Sequence, residues 1–477
     1  MKLGDNLKNS SVRFKLLSVF SNRRLTSFDF FSPRFIFPIF FFVYILIGIP
    51  SLTNIDRPSP LSIIILLLGL LFFLFGCWLE SRISTSSFLN NLSLFRIVRR
   101  WLQKIKFAIL HIINYFAKRF RFTGTPRTQI ILIAFVFVIG GIIASAYILI
   151  SLPIPLLYPE YRTFMSTTYG FASIAILGVI ILSGMMMGRT LRFVHNYSAT
   201  KRYELIRSFF PKNIVTPLIL TGLISIIMLL LGYRTLVIIP LASTVIIYHY
   251  TVKPINANIL ILLFILSIIF IGVYADIRWT LQWGEDNYDT WLRSLDADPN
   301  LGWMVQINMA SRETLNKFDQ IVTGASPWGY YQGDLLASVF TVILPGSQDA
   351  PRTLVSKFLE TRPESSTTPT IMGLPFLDFG YIGAFFFMVF SGVFISIIYR
   401  KMRTTSGQTR RLSVVLYSYT ITIFLLSIHT GIADITVIFH IALLIFLLFL
   451  FSEINYANLN SDRYFHKKAR KVELPVP

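Results

Sequence analysis

Cysteine is almost missing from this chain, with one residue, Cys77, among 477. It lies inside an apolar run, so a disulfide framework is excluded and so is a thiolate metal site. Histidine patterns that bind metal are missing too. The six histidines, His111, His195, His249, His429, His440 and His466, are scattered, and none falls in an HxxxH or HExxH arrangement. Those spacings bring two imidazoles onto one helical face, and without them no protein-built zinc centre is expected. Charge is sparse at 14% of residues, and acidic charge sparser, with 23 Asp and Glu against 44 Lys and Arg. There is no internal repeat, no low-complexity tract and no soluble catalytic domain. No short apolar region with a small-residue cleavage site follows the basic start, so no cleaved signal peptide is expected.

What fills the chain is apolar. Residues of that kind make up 54% of it, and the mean hydropathy is +0.63. This is the composition of an all-α polytopic membrane protein. Ten apolar runs are candidates to cross about 30 Å of hydrocarbon, at 35–52, 61–79, 129–152, 166–187, 214–232, 235–250, 258–275, 376–399, 412–429 and 433–451. The sixth is short enough to be tilted or re-entrant.

The charges test that division. Segments 1–34, 80–128, 188–213, 400–411 and 463–471, with Lys253, hold 34 of the 44 Lys and Arg. The alternate connections hold only Arg57, Arg162, Arg234 and the seven basic residues of 276–375. Basic residues stay on the cytoplasmic side. Both termini are therefore expected in the cytoplasm, and the long loop on the extracytoplasmic face of the cell (inner or cytoplasmic) membrane. The net charge of +21 follows from this placement, and no nucleic-acid partner is expected. The expected organisation is a basic N-terminus at 1–34, seven helices in 35–275, a loop domain at 276–375, three helices in 376–451 and a basic tail at 452–477. Within the second of these, Leu94, Ile97, Val98, Trp101, Ile105, Ala108, Ile112 and Phe116 recur at three-to-four spacing over 88–122. Arginine and lysine fill much of the rest, as in a helix lying on anionic membrane lipids.

Several residues carry possible chemistry. Arg234 lies in Gly232-Tyr233-Arg234-Thr235, within an otherwise apolar stretch. A charge at that depth costs about 3 kcal/mol on insertion scales, so it either holds an anion or snorkels from a tight turn. The long loop carries seven basic and twelve acidic residues with Trp279, Trp283, Trp291, Trp303 and Trp328. Among its cations, Arg278, Arg312 and Arg352 suit diphosphate oxygens, because a guanidinium offers two parallel donors. Each alone also reads as a solvated charge. The tryptophans, with Tyr330 and Tyr331, fit either sugar stacking or a membrane interface. Leu335–Leu344 is too short to span and fits a segment that dips into the membrane or lies on it. Asp378 is expected in the first turn of the eighth span, favoured there by the helix dipole or orienting a ligand. His429, followed by Asp434, fits a general base or a helix cap. His440 reads the same way at a deeper level.

Four segments read together carry a resemblance. They are Phe31-Ser32-Pro33-Arg34, Gly232-Tyr233-Arg234-Thr235, Leu344-Pro345-Gly346 within the large loop, and the Thr-Pro…Gly…Asp-Phe-Gly…Gly pattern from Thr368 to Gly383. In these the chain resembles the oligosaccharide repeat-unit polymerases, the Wzy-type O-antigen polymerase family. The resemblance implies a GT-C-like membrane glycosyltransferase that needs no metal and no cofactor. It implies a polyprenyl-diphosphate-linked oligosaccharide donor and a similar acceptor, with a chain-length regulator as a possible further partner. The leaving diphosphate would be clamped by Arg234, Arg278, Arg312 and Arg352. The acceptor hydroxyl would be served by His429, Asp378 or Glu364. No DxD-like pair faces the expected site. The acidic excess of the loop requires its cations to act by local focusing. An O-antigen ligase-like transferase shares this layout. A flippase or transporter for lipid-linked glycans and a noncatalytic scaffold are the readings from other classes.

Overall fold

In hydrocarbon the backbone has no water to bond, so apolar runs of this length close their amides into helices. The computed structural model describes residues 29–85, 126–158, 166–187, 199–341, 349–361, 367–431 and 435–449, and among these it is helical with no strand. The segment 88–122, the tail 452–477, Glu364 and Asp434 lie outside the described residues.

Six helices are long and apolar enough to cross a membrane. They are α2 (Pro60–Thr85), α3 (Pro126–Ser151), α5 (Ala199–Leu230, through its part Asn213–Leu230), α7 (Ala257–Trp283), α12 (Thr370–Thr404) and α13 (Gly407–Thr430). Four shorter apolar helices stand at the remaining apolar runs: α1 (Pro33–Gly48), α4 (Ser166–Met187, apolar from Ala172), α6 (Arg234–Thr251) and α14 (Ile435–Phe449). Between α7 and α12 lies a cap of α8 (Glu285–Ser294), a 3-10 turn Pro299–Leu301, α9 (Gly302–Gly324), α10 (Asp334–Thr341) and α11 (Pro351–Phe358).

α13 is the most buried span and packs on α4, α6 and α12. Its polar residues bond across helices, as Ser243 of α6 does to Thr422 at 3.3 Å. Such pairs replace water as glue where lipid offers no hydrophobic drive. α2 and α12 meet through glycine. A Cβ on Gly76 would overlap the Val389 carbonyl oxygen, and one on Gly392 the Phe73 carbonyl oxygen. Gly392→Val therefore forces the two backbones apart. We expect a loss of about 1–3 kcal/mol from overpacking, read as a lower melting temperature in detergent. An unchanged melt would mean the helices do not touch there.

At the basic end of the bundle, Asp29 accepts hydrogen bonds from Tyr250 at 2.8 Å and Tyr399 at 2.6 Å. Arg34 donates to the Cys77 carbonyl at 3.0 Å. Residues Asp29–Arg34 thus tie α1 to α2, α6 and α12.

Two boundaries next to the cap differ from expectation. α7 runs on to Trp283 rather than ending near 275, and α12 begins at Thr370 rather than 376. Thr370–Asp378 is buried throughout, so this turn is held by neighbouring protein and need not be apolar enough for lipid. Asp378 is consequently the ninth residue of α12, not a first-turn residue. α12 also breaks at Phe379 (φ −131°, ψ 15°) and Gly380 (φ 63°, ψ −149°).

The cap has a small core of its own, built on Tyr288, Leu292, Ala297 and Val305. Trp279, Trp283 and Trp291 pack on one another beside it, with ring centroids 4.5 to 6.1 Å apart. Three of the five loop tryptophans thus stack among themselves.

Candidate active site

α9 organises the cap, because its polar residues recur at helical spacing on two neighbouring stripes. The first stripe, Asn308, Arg312, Asn316 and Asp319, faces the connection between α1 and α2. Asn308 Nδ2 donates to the carbonyls of Ile47 at 2.6 Å and Pro50 at 2.9 Å. Arg312 Nη1 donates to Pro50 O at 2.7 Å and its Nε to Asp56 O at 3.2 Å. Asn316 Nδ2 reaches Asp56 O at 2.6 Å. Asp319 Oδ1 accepts from the hydroxyls of Ser59 and Ser62, the latter at 2.6 Å.

Arg312 is the unusual member. It is 1% exposed, yet its hydrogen-bond partners are two neutral carbonyls, and among the described residues no carboxylate pairs with it. Nη2 makes no hydrogen bond among the described residues. Burial lowers its pKa, neighbouring Arg57 lowers it further, and Asp56 opposes both. A guanidinium remains charged regardless. A buried cation without a counter-ion is costly unless an anion arrives.

The second stripe, Ala310, Ser311 and Thr314, faces α1, α13 and the start of α12. His429 Nδ1 lies 2.9 Å from the Tyr44 hydroxyl and 3.1 Å from Thr314 Oγ1. Thr314 Oγ1 donates to Ala310 O at 3.0 Å and lies 3.5 Å from Thr368 Oγ1. Ser311 Oγ donates to Tyr44 O at 2.6 Å. The close approach of α1 and α9 requires Gly48, where a Cβ would come within 2.6 Å of Leu315 and 2.8 Å of Ser311 Oγ.

Two proton arrangements satisfy this network. In one, Tyr44 donates to Nδ1 while Thr314 donates to Ala310. In the other, Nδ1 donates to Thr314 and the lone pair of the ring sits on Nε2. An imidazole held between these tautomers is suited to accept a proton.

The segment leading into α12 is strained. Thr370, β-branched and buried, has φ 63°, and its Oγ1 is buried without a hydrogen bond. Such a backbone costs about 1–3 kcal/mol and tends to occur at functional sites. Thr370 O also faces Gly431, two residues past His429, at 3.3 Å from where a Cβ would stand.

The other residues singled out from the sequence lie elsewhere. Arg234 opens α6 directly after a tight turn at Gly232, whose φ is 77°. Tyr274 and Gln282 of α7 bond to Leu229 O and Leu156 O beside that turn, at 2.9 and 2.7 Å. Arg278 lies between them at i+4 spacing, on the stretch of α7 that flanks the turn before Arg234. The Arg278 guanidinium carbon sits 5.0 Å from the Trp279 ring centroid. Arg312 lies about 14 Å further along α9 than Trp303, whose backbone packs on Gly272 of α7. Arg352 is half-buried on α11.

Asp378 is 2% exposed. Its Oδ1 accepts the backbone N–H groups of Gly333 at 2.7 Å and Leu335 at 3.2 Å, and its Oδ2 that of Leu336 at 2.9 Å. The helix terminus it serves is that of α10, not of its own helix. His440 is buried with Nδ1 2.8 Å from the Tyr419 hydroxyl, in a small cavity lined by Ser173, Ile176, Leu236 and Val437.

Tyr44, Thr314 and Arg57 were not singled out from the sequence. Arg57 had a signal, as one of the few cations on its side of the charge alternation. Tyr44 sits in an apolar run and Thr314 in an ordinary helical segment, so neither had one. Among the described residues no group of three or more His, Cys, Asp or Glu converges as a metal site would require.

Comparison with known proteins places the chain. It is 28% identical over 224 residues to an uncharacterised protein of Methanocaldococcus jannaschii, covering 47% of this chain and 55% of that one. The chain thus spans about half the length of this curated relative. No solved structure matches it. The model of the O-antigen polymerase family matches residues 29–441, a range that contains Arg312, Tyr44, Thr314, Thr368 and His429. The chain belongs to the O-antigen polymerase family.

Proposed function

We propose that the protein is a membrane glycosyltransferase that joins polyprenyl-diphosphate-linked oligosaccharide repeat units into a polysaccharide. The reaction runs on the extracytoplasmic face of a ten-span, GT-C-like bundle, where the cap meets the membrane. The observation that carries this reading is Arg312, buried with no paired carboxylate among the described residues, one helical stripe from the His429–Tyr44–Thr314 network.

The acceptor sugar hydroxyl attacks the anomeric carbon of the donor. The bond from that carbon to the phosphate oxygen breaks, and the diphosphate leaves with the electron pair. His429 takes the proton of the attacking hydroxyl at Nε2, with Nδ1–H held by Thr314. Arg312 and Arg57 stabilise charge growing on the leaving group, and guanidinium groups supply this without a metal. Arg234, Arg278 and Arg352, on α6, α7 and α11, guide the anionic carrier inward by their field. Asp378 acts as a positioning residue, since its oxygens are taken by three amides. Glu364, outside the described residues, is an alternative base.

Purified protein in vesicles, given one defined lipid-linked repeat unit without added metal, is expected to yield a ladder of longer glycans and free polyprenyl diphosphate. Transfer to a different acceptor, without a ladder, would identify a ligase-like enzyme. Movement across the bilayer with no new bond would identify a flippase. His429→Gln keeps a side-chain hydrogen bond but cannot accept the proton. It is expected to lower the turnover rate by about 10²–10⁴-fold with the melting temperature little changed. Wild-type turnover in that variant would remove His429 as the base.

A further inference from the structure

Trp328 is 73% exposed and Tyr330 60% exposed, on a segment that is firmly held. Tyr330 N donates to Leu377 O at 2.7 Å, Gln332 N to Asp378 O at 2.9 Å and Tyr381 N to Pro327 O at 3.2 Å. The Asp378 carboxylate binds the three amides that follow. This backbone docks into the break in α12, where Phe379 and Gly380 leave the helical ladder open.

The large exposed side chains around it are apolar, with Gln332 and Asp334 exposed between them. On α10, Leu335 and Val339 are buried while Leu336 and Phe340 are exposed. On α12, Phe379, Ile382, Phe386 and Phe390 are exposed at three-to-four spacing. Gly333 lies against the Phe379 ring, so the two apolar surfaces are continuous.

Depth follows from length. Arg400, Lys401 and Arg403 mark one membrane boundary on α12. From Tyr381 to Arg400 is 20 residues, or about 30 Å of helix, which is one hydrocarbon thickness. The break at Phe379–Gly380 therefore stands at the opposite boundary, where Trp and Tyr prefer to lie.

We propose that residues 326–341 form a membrane-interface shelf, with Trp328, Tyr330, Leu336 and Phe340 seated in the headgroup–acyl boundary of a lipid leaflet. Asp378 joins the shelf to the outer half of α12, which begins at Thr370 beside His429. The shelf thus sets the height of the candidate site above the lipid in which a polyprenyl carrier would be anchored. The inference stands on geometry and does not require the proposed chemistry.

Cys77 is the sole cysteine and is fully buried, so single nitroxide labels can be introduced without removing it. Trp328→Cys and Phe340→Cys are to be labelled in proteoliposomes of the full chain, with Phe386→Cys as the lipid reference and Glu313→Cys, exposed on α9, as the aqueous one. Accessibility to oxygen and to a soluble nickel chelate gives depth. Positions 328 and 340 are expected to favour oxygen, about 5–10 Å into the leaflet and shallower than 386. Labels at 328 and 340 that behave like 313 would overturn the proposal. So would a lipid-exposed 340 with an aqueous 328, because the loop would then not belong to the shelf. Tyr330→Cys replaces Trp328→Cys if the latter does not fold.

Discussion

Arg312→Lys is expected to lower the rate of chain extension by about 100-fold or more, with the protein still inserted and folded. Lysine keeps the charge but loses the planar fork that bonds a carbonyl and a phosphate oxygen together. Arg312 spends Nε and Nη1 on Asp56 O and Pro50 O, which leaves Nη2 for a ligand. One ammonium cannot meet all three directions. Loss of a donor aimed at developing charge typically costs about 3–4 kcal/mol of transition-state stabilisation. The effect should fall on kcat, since charge grows on the diphosphate as the bond breaks. Arg312→Ala is a poorer test, because it orphans two carbonyls and costs stability as well.

The rival role for Arg312 is stapling the α1–α2 connection to α9. Asn316 separates the two roles, because it also donates to Asp56 O, at 2.6 Å. Asn316→Ala is expected to lower the melting temperature while leaving kcat close to that of the parent. If Arg312→Lys loses stability and keeps its turnover, Arg312 is a staple and the diphosphate reading of the site fails.

Gly380→Ala is expected to be the most damaging single methyl in the chain. The backbone there, φ 63° and ψ −149°, borders a region that is essentially glycine-only. The new Cβ would overlap the Pro327 carbonyl oxygen and stand 2.9 Å from Gly329 N. Both atoms belong to the docked loop, so strain and clash add. A loss of about 3 kcal/mol or more follows. The loop 326–333 must leave the break, and the Asp378 carboxylate then loses its three amide donors. Limited proteolysis should show new cleavage within 326–341, together with a lower melting temperature. Parent-like resistance and melting would mean that the break and the docked loop do not depend on each other.

The two predictions bear on residues that differed in how far they could be read from the sequence. The Asp-Phe-Gly run of α12 is visible in the sequence as a motif. What Gly380 does is not: it makes a close approach to a loop, and the helix is broken to receive it. Asp378 was expected to serve its own helix terminus or a ligand. It serves the amide end of α10, more than 40 residues earlier in the chain. No local pattern encodes that, because the amides it binds become donors only once α10 is folded beside it. His429 was read as a base or a cap, yet its partners Tyr44 and Thr314 come from helices hundreds of residues and one long loop away.

The sequence by itself determined that the chain is helical and apolar enough for a membrane, where its long polar segment lies, and which family signature it carries. These properties are local. Hydrocarbon penalises every unpaired amide and every charge where it stands, so composition and spacing report them directly. Only the tertiary structure decided that Arg312 is buried with no paired carboxylate among the described residues, which hydroxyls surround His429, and which tryptophans stack on one another while Trp328 stays exposed. Those are properties of neighbourhood. A guanidinium, an imidazole or an indole has the same residue type wherever it is, and only packing between distant helices sets its solvent, its partners and hence its chemistry.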